Sequence, residues 1–270
     1  MWVKASSEGT SILWLHGPAG GGKSAIVQTV AETCARYDKL TASFFFAHTV
    51  ASQNSVKNLF PTIAIQIAFA APGKHQRLDS ILKNDPWPTE HALASIDLVA
   101  SLFQQGSVLG PPLSPQFLVI IDGLDEYQEC DDQCHILAGL ARMVNTHHLP
   151  LHFLIVSHPD AHLCEAFDEP NLANIMESLS LYGDFQAEDD VFKYLQSKLS
   201  RICDSNRHRD VMEFIPRPWP FKDIIDRLAS KSEGYFIYTS TVIKICQRRR
   251  LFASRSSQPD YKHFQFSRSL

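Results

Sequence analysis

The chain has 270 residues, 44% of them hydrophobic and 20% charged, with 25 Lys and Arg against 29 Asp and Glu for a formal charge of −4. That length suits one large domain or two modest ones, and the slightly acidic balance carries no electrostatic footprint for nucleic acid or an anionic membrane. No apolar run reaches the ~18 residues that span a bilayer, the N-terminus lacks a signal-peptide core, and the six cysteines at no framework spacing read as reduced thiols, so a cytoplasmic protein is expected.

In chain order, Ile12 to His16 is a short apolar run ending at glycine, which predicts a buried parallel strand. A glycine-rich loop follows, then a helix from Lys23 with Ile26, Val27, Val30, Ala31 and Cys34 on one face. Thr41 to Ala47 predicts a second strand, and Val56, Leu59, Phe60, Ile63 and Ile67 recur with helical period. Helices are expected between Pro72 and Pro115, broken at Pro86, Pro88, Pro111 and Pro112. Phe117 to Ile121 is the clearest buried strand, ending in Asp122; a helix is expected over Cys134 to Asn145. His152 to Val156 and Glu177 to Leu181 complete five strands, and their alternation with helices predicts a doubly wound parallel sheet.

After Tyr182 no strand signal returns. Val191, Leu195, Leu199 and Ile202 mark an amphipathic helix starting near Asp184 or Glu188. Further helices are marked by Ile224, Ile225 and Leu228, and by Tyr235, Tyr238, Val242 and Ile245. The expected division is an α/β nucleotide-binding domain over 1–183, a helical domain over 184–247 and a polar, disordered tail over 248–270.

Gly17-Pro18-Ala19-Gly20-Gly21-Gly22-Lys23-Ser24 matches G-x-x-x-x-G-K-[ST] in full, between a strand and a helix. Glycines let backbone N–H groups curl around phosphate oxygens, the positive helix end faces the same anion, Lys23 reaches the β- and γ-phosphates, and the Ser24 hydroxyl can ligate Mg²⁺. The acid half of such a site is supplied by Asp122 at a strand end, suited to hold magnesium through water, with Asp125 and Glu126 able to polarise an attacking water. Thr41 to Ala47 carries no acid, so the acidic strand comes later in the chain. This favours the additional-strand ATPase class, and no N/T-K-x-D base-reading motif of a GTPase is present.

The blocks WLHGPAGGGKSAI, ASFFF, TIAIQIA, LVIIDGLDEY, LPLHFLIVSHPD and SEGYFIYTSTVIK, in this order, closely resemble the NACHT-domain NTPases, the fungal branch above all. The resemblance covers roughly residues 11 to 246 and implies a STAND-type signalling switch akin to innate-immunity receptors. It implies ATP or ADP with Mg²⁺, slow hydrolysis, a helical lid, and oligomerisation with itself or other signalling proteins. Gly17 to Ser24 match the phosphate loop, and Asp122, Asp125 and Glu126 the extended acidic motif. Where the family carries a γ-phosphate-sensing arginine after the serine of its sensor strand, this chain has His158. Arginine is always charged and forks two bonds to phosphate, whereas imidazole is only fractionally charged at neutral pH. With sixteen residues before Gly17 and no winged-helix pattern after about 247, a minimal module or a shortened form of a longer receptor is expected.

Two other functions fit the same residues: a degenerate module that binds without turnover, and a small-molecule phosphotransferase. Lesser features point elsewhere. Cys130, Asp131, Asp132, Cys134 and His135 lack the second half of a zinc site. His147, His148 and His152 are expected to be solvated, as is Arg248-Arg249-Arg250. Trp219-Pro220 after Pro216 and Pro218 reads as a rigid turn between helices, and Gly234 as the start of the last one.

Overall fold

Ile12–His16 (β1), Phe117–Asp122 (β3) and Leu151–Ser157 (β4) are apolar almost throughout, and they form the middle of a five-stranded parallel sheet. Leu40–Phe45 (β2) and Met176–Ser180 (β5) are its edges, giving the order β2-β3-β4-β1-β5. The computed structural model describes residues 10–47, 55–70, 73–84, 92–103, 117–181, 187–206 and 219–248. Ile12 lies opposite Phe153 and Asp122 opposite Val156, so β4 sits between the loop strand and the acidic strand. That is the inserted strand expected of the additional-strand class.

Alternation along β4 sends Phe153 and Ile155 to one face and Leu154 and Val156 to the other. Helix α1 (Lys23–Arg36) covers the second face with Val27, Ala31 and Cys34. The first face is covered by α2 (Val56–Ala70), α4 (Ala92–Phe103), α5 (Cys130–Asn145) and α6 (Ala161–Asp168), with α3 (Lys74–Asn84) packed on α2 and α4. Phe60, Phe153 and Phe167 are fully buried there, each contributing about 2–3 kcal/mol of transfer free energy.

Helix α5 begins at Cys130, a turn before the expected Cys134. Asp131 and Asp132 suit the positive end of a helix, and the Tyr127 hydroxyl donates to Asp132 (3.0 Å). Between β4 and β5 stand two helices that the sequence did not announce, α6 and the one-turn α7 (Pro170–Ala173). Their apolar pattern is only Leu163, Phe167 and Leu172, too short to establish a period. His152 is not solvated: it lies within β4, half-buried, and burial holds its imidazole below the ordinary histidine range. His147 is also half-buried, and only His148 of the three is exposed.

The outer edge of β2 is closed by a side chain. Ser43 N–H donates to Gln66 Oε1 (2.8 Å), and Gln66 Nε2 donates back to the Ser43 carbonyl (3.0 Å), so one amide imitates a neighbouring strand. Gln66→Leu leaves both backbone groups without this partner at a half-buried edge. It is expected to lower unfolding free energy by about 1–3 kcal/mol, read as a lower urea midpoint; an unchanged midpoint contradicts it.

The chain divides into two compact units, Met1–Phe185 and Gln186–Leu270. In the second, α8 (Ala187–Cys203), α9 (Lys222–Ser232) and α10 (Phe236–Arg248) share a core of Val191, Leu195, Leu199, Ile225, Leu228, Val242 and Ile243, with Trp219 against it. Glu233 (φ 49°) and Gly234 (φ 81°) are both left-handed and end α9, so Gly234 is the turn ahead of α10 rather than its first residue. A Cβ on Gly234 would also stand 2.9 Å from that of Ala187. The expected breaks at Pro86, Pro88, Pro111 and Pro112, the helix start at Asp184, the turn residues Pro216 and Pro218, and the tail from 249 lie outside the described residues. Among the described residues no helix is long and apolar enough to cross a membrane, and no three His, Cys, Asp or Glu side chains converge as a metal site.

Candidate functional site: the phosphate loop and its acidic neighbour

Directly after β1 the chain turns at Gly17, where a Cβ would lie 2.7 Å from that of Leu181. Leu181 N–H donates to the His16 carbonyl (2.8 Å), so the continuation of β5 forms one wall of the loop and leaves room for glycine alone. Gly21 N–H closes a turn onto the Pro18 carbonyl (3.1 Å), while Gly20 (φ 74°) and Gly22 (φ 91°) are left-handed. Ala19 is exposed at the loop's apex.

Gly22 caps α1 with no side-chain hydrogen bond, and the first turn holds no acid. The first bond back along the helix comes from Ile26 N–H to the Gly22 carbonyl. The earlier N–H groups therefore have neither an intrahelical partner nor a competing carboxylate, which suits an anion.

Lys23 Nζ donates to the carbonyls of Gly17 (2.9 Å) and Pro18 (3.1 Å) and lies 3.4 Å from His158 Nε2. Burial pulls the Lys23 ammonium below its ordinary range, while Asp125, Asp122 and Asp160 push it back up. His16, bonded through Nε2 to the Ser178 hydroxyl (2.9 Å), is likewise lowered by burial and then by Lys23.

Asp122 ends β3 almost fully buried, at 6% exposure. Burial raises its carboxyl pKa; a hydrogen bond from the Ser24 hydroxyl opposes the rise, Glu126 and Asp125 add to it, and Lys23 opposes it. The chain then turns through Gly123 (φ 75°), whose N–H donates to the Val156 carbonyl (2.9 Å). A single 3-10 turn, Leu124–Glu126, follows, with Leu124 fully buried beneath it. This geometry lifts Asp125 and Glu126 off the sheet.

His158 is the first residue beyond β4, on the strand between Asp122's and the loop's. Its backbone N–H donates to Asp125 Oδ1 (3.0 Å). Ser157 before it is fully buried and accepts from Trp14 Nε1 (2.9 Å). Thus Lys23, Ser24, Asp122, Asp125 and His158 come together through direct contacts, and Glu126 joins through its charge effect on Asp122.

Sequence reasoning passed over Gln133 and His162. Gln133 is 2% exposed; its Nε2 donates to the Tyr127 carbonyl (2.5 Å), and its Oε1 faces His162 Nε2 (2.7 Å). One signal was available: Gln133, Ile136, Leu137 and Leu140 share a helical face, so a polar residue stands in an apolar stripe.

The donor set fits a magnesium-bound phosphate chain. Magnesium binds through one or two protein groups with phosphates and water completing its shell, so Ser24 and Asp122 suffice without a wider carboxylate cage. The left-handed Gly20 and Gly22 and the helix start without a side-chain cap form a cradle, and a Cβ at Gly21 would lie 3.2 Å from the Pro18 carbonyl oxygen.

A family model described as Nephrocystin 3, N-terminal matches residues 1–158. Among solved structures the chain is similar to Drosophila ORC bound to DNA, with TM-score 0.52 and 13% identity over 88% of this chain and 54% of that one. It thus spans about half the length of that ORC chain, and the likeness shows the fold alone. Drosophila ORC bound to AT-rich DNA and Cdc6 (TM-score 0.41, 15% identity, 91% and 76% covered) and the Pif1 helicase of Candida albicans (0.29, 15%, 75% and 46%) are too distant to carry an argument. No curated protein matches the chain. The loop, the acidic strand and the strand order 2-3-4-1-5 make this a P-loop NTPase fold. The match over more than half of its length makes the chain a member of the Nephrocystin 3, N-terminal family.

Proposed function

We propose that the chain binds Mg–ATP and Mg–ADP in the loop over 17–24 and acts as a STAND-type switch with slow ATP hydrolysis, a module of a longer NACHT-like receptor. The observation that carries this reading is the meeting of Lys23 and Ser24 with Asp122, Asp125 and His158 at one loop. Backbone N–H groups of residues 22–24 bind phosphate oxygens, and Lys23 Nζ leaves its two carbonyls for the β- and γ-phosphates. Ser24 and Asp122 hold magnesium, which when bound neutralises charge on the phosphates. Asp125 accepts the His158 N–H on one oxygen, and its second oxygen and Glu126 are the groups that polarise water.

Turnover is slow because His158 stands where a permanent cation would stabilise the γ-phosphate. The helices of the second unit serve as the lid. Assembly with further copies or other signalling proteins, in the cytoplasm, follows from the same reading.

Phosphate release by the purified chain tests it. The expected rate lies far below the ~10 s⁻¹ typical of enzymes, with phosphate delivered to water rather than to an added metabolite. His158→Arg supplies a second fixed cation beside Lys23 and is expected to raise both the rate and the preference for ATP over ADP by roughly tenfold. Wild-type turnover at ordinary enzyme rates would remove the switch reading, and transfer to a metabolite would establish a phosphotransferase.

A further inference from the structure

We infer that Gln133 and His162 form a positioning bridge that locks the acidic turn to the His158 segment, so that both sides of the γ-phosphate site move as one. The inference rests on the nucleotide reading above. The two sides come from neighbouring strands: Asp125 and Glu126 from the end of β3, His158 from the end of β4. Sheet pairing between them stops at Asp122 opposite Val156, with one further bond from Gly123 N–H to the Val156 carbonyl. Beyond that point the segments are held by two straps. One is the Asp125 carboxylate on the His158 N–H. The other runs from the Tyr127 carbonyl, at the far end of the acidic turn, through Gln133 to His162 in the first turn of α6.

Chemistry fixes the polarity of the second strap. A carbonyl only accepts, so the Gln133 amide nitrogen must face Tyr127. Its oxygen then faces His162, whose Nε2 must carry a proton and donate. Gln133 is buried, so losing either partner would leave an amide group unsatisfied, which favours a single arrangement. The Tyr127 hydroxyl on Asp132 and the Cys134 Sγ–H toward the His162 carbonyl (3.8 Å) hold the same turn and helix to the start of α5.

Among the described residues, no hydrogen bond joins Tyr127, Gln133, Cys134 or His162 to the loop over 17–24. The bridge therefore acts through Asp125, Glu126 and His158, the residues facing a third phosphate, and not through those that hold the first two. Its loss should separate the two nucleotides. In the full chain, Gln133→Met keeps the shape and removes both hydrogen bonds. Mg–ATP affinity is expected to fall by roughly tenfold with Mg–ADP affinity held within about twofold. His162→Leu, at a half-buried position, should reproduce the effect; His162→Gln, which restores an N–H donor, should return the ATP-to-ADP ratio to the wild-type value. The Gln133→Met, His162→Leu double variant should be no worse than either single change. An unchanged ratio in both single variants, or an equal loss of both nucleotides, overturns the bridge while leaving the nucleotide reading intact. Wild type that binds neither nucleotide overturns the reading itself, and the bridge with it.

Discussion

Lys23→Ala is expected to weaken Mg–ATP and Mg–ADP binding by roughly a hundredfold while leaving the melting temperature of the nucleotide-free chain unchanged or slightly higher. The two halves of this result have different causes. An ammonium bonded to two phosphate oxygens makes charge-assisted contacts of about 1.5–3 kcal/mol each, and losing them together costs about 3 kcal/mol, or two decades of affinity. Without nucleotide, the same ammonium sits half-buried on two carbonyls, and burial outweighs the attraction of the surrounding acids, since its pKa is lowered overall. Removing it takes away a charge that the fold does not favour, and the loop carbonyls turn to water. Titration with a fluorescent nucleotide beside a thermal melt reads both halves. Wild-type affinity in Lys23→Ala would remove the phosphate loop from the account.

Asp122→Asn is expected to stabilise the magnesium-free chain and to abolish stabilisation by magnesium. Asp122 is buried, with Glu126 and Asp125 nearby, and its folded pKa lies above the ordinary value. The sign follows directly. As pH rises, the unfolded chain releases this proton first, so the carboxyl's contribution is fully present below its unfolded pKa, near 4, and is lost as pH passes the raised folded value. At neutral pH the wild type carries the cost of keeping this acid out of water, and asparagine does not, while its amide oxygen still accepts from the Ser24 hydroxyl. A gain on the order of 1–2 kcal/mol, or roughly 2–6 °C in Tm, is expected at neutral pH and should vanish toward pH 3. Adding Mg–ADP should stabilise the wild type and narrow the gap. An asparagine variant less stable at pH 7, or one still stabilised by magnesium, contradicts the assignment. A site that weakens its own fold to hold a cation is a common trade between stability and function.

The phosphate loop and the acidic strand end were legible in sequence because each is a local pattern. Gly17 to Ser24 is a local device, in which one loop and one helix start do all the positioning. The strand order was legible for a subtler reason: Leu40–Phe45 carries no acid and Phe117–Asp122 ends in one. The connections across the sheet were not legible. Nothing in Ser43 and Gln66 announces that a side chain closes β2, because the pairing depends on how α2 lies along that edge. Gln133 and His162 are polar residues in separate helices, and only the packing of α5 beside α6 makes them partners. His152 was misjudged for a related reason: the histidines and proline just before it suggest a turn, whereas the strand register sets it beside the buried Leu118 of β3. Asp125 gained a contact that sequence could not show: beside its expected part in polarising water, one of its oxygens accepts from the His158 backbone N–H.

Calorimetric titration of the whole chain with Mg–ADP and Mg–ATP, with the Lys23→Ala variant alongside, tests the central claim most directly. The account predicts saturable binding of both nucleotides at one site per chain, weakened by magnesium removal and weakened roughly a hundredfold in the variant. No saturable binding of either nucleotide to the folded wild-type chain would contradict it.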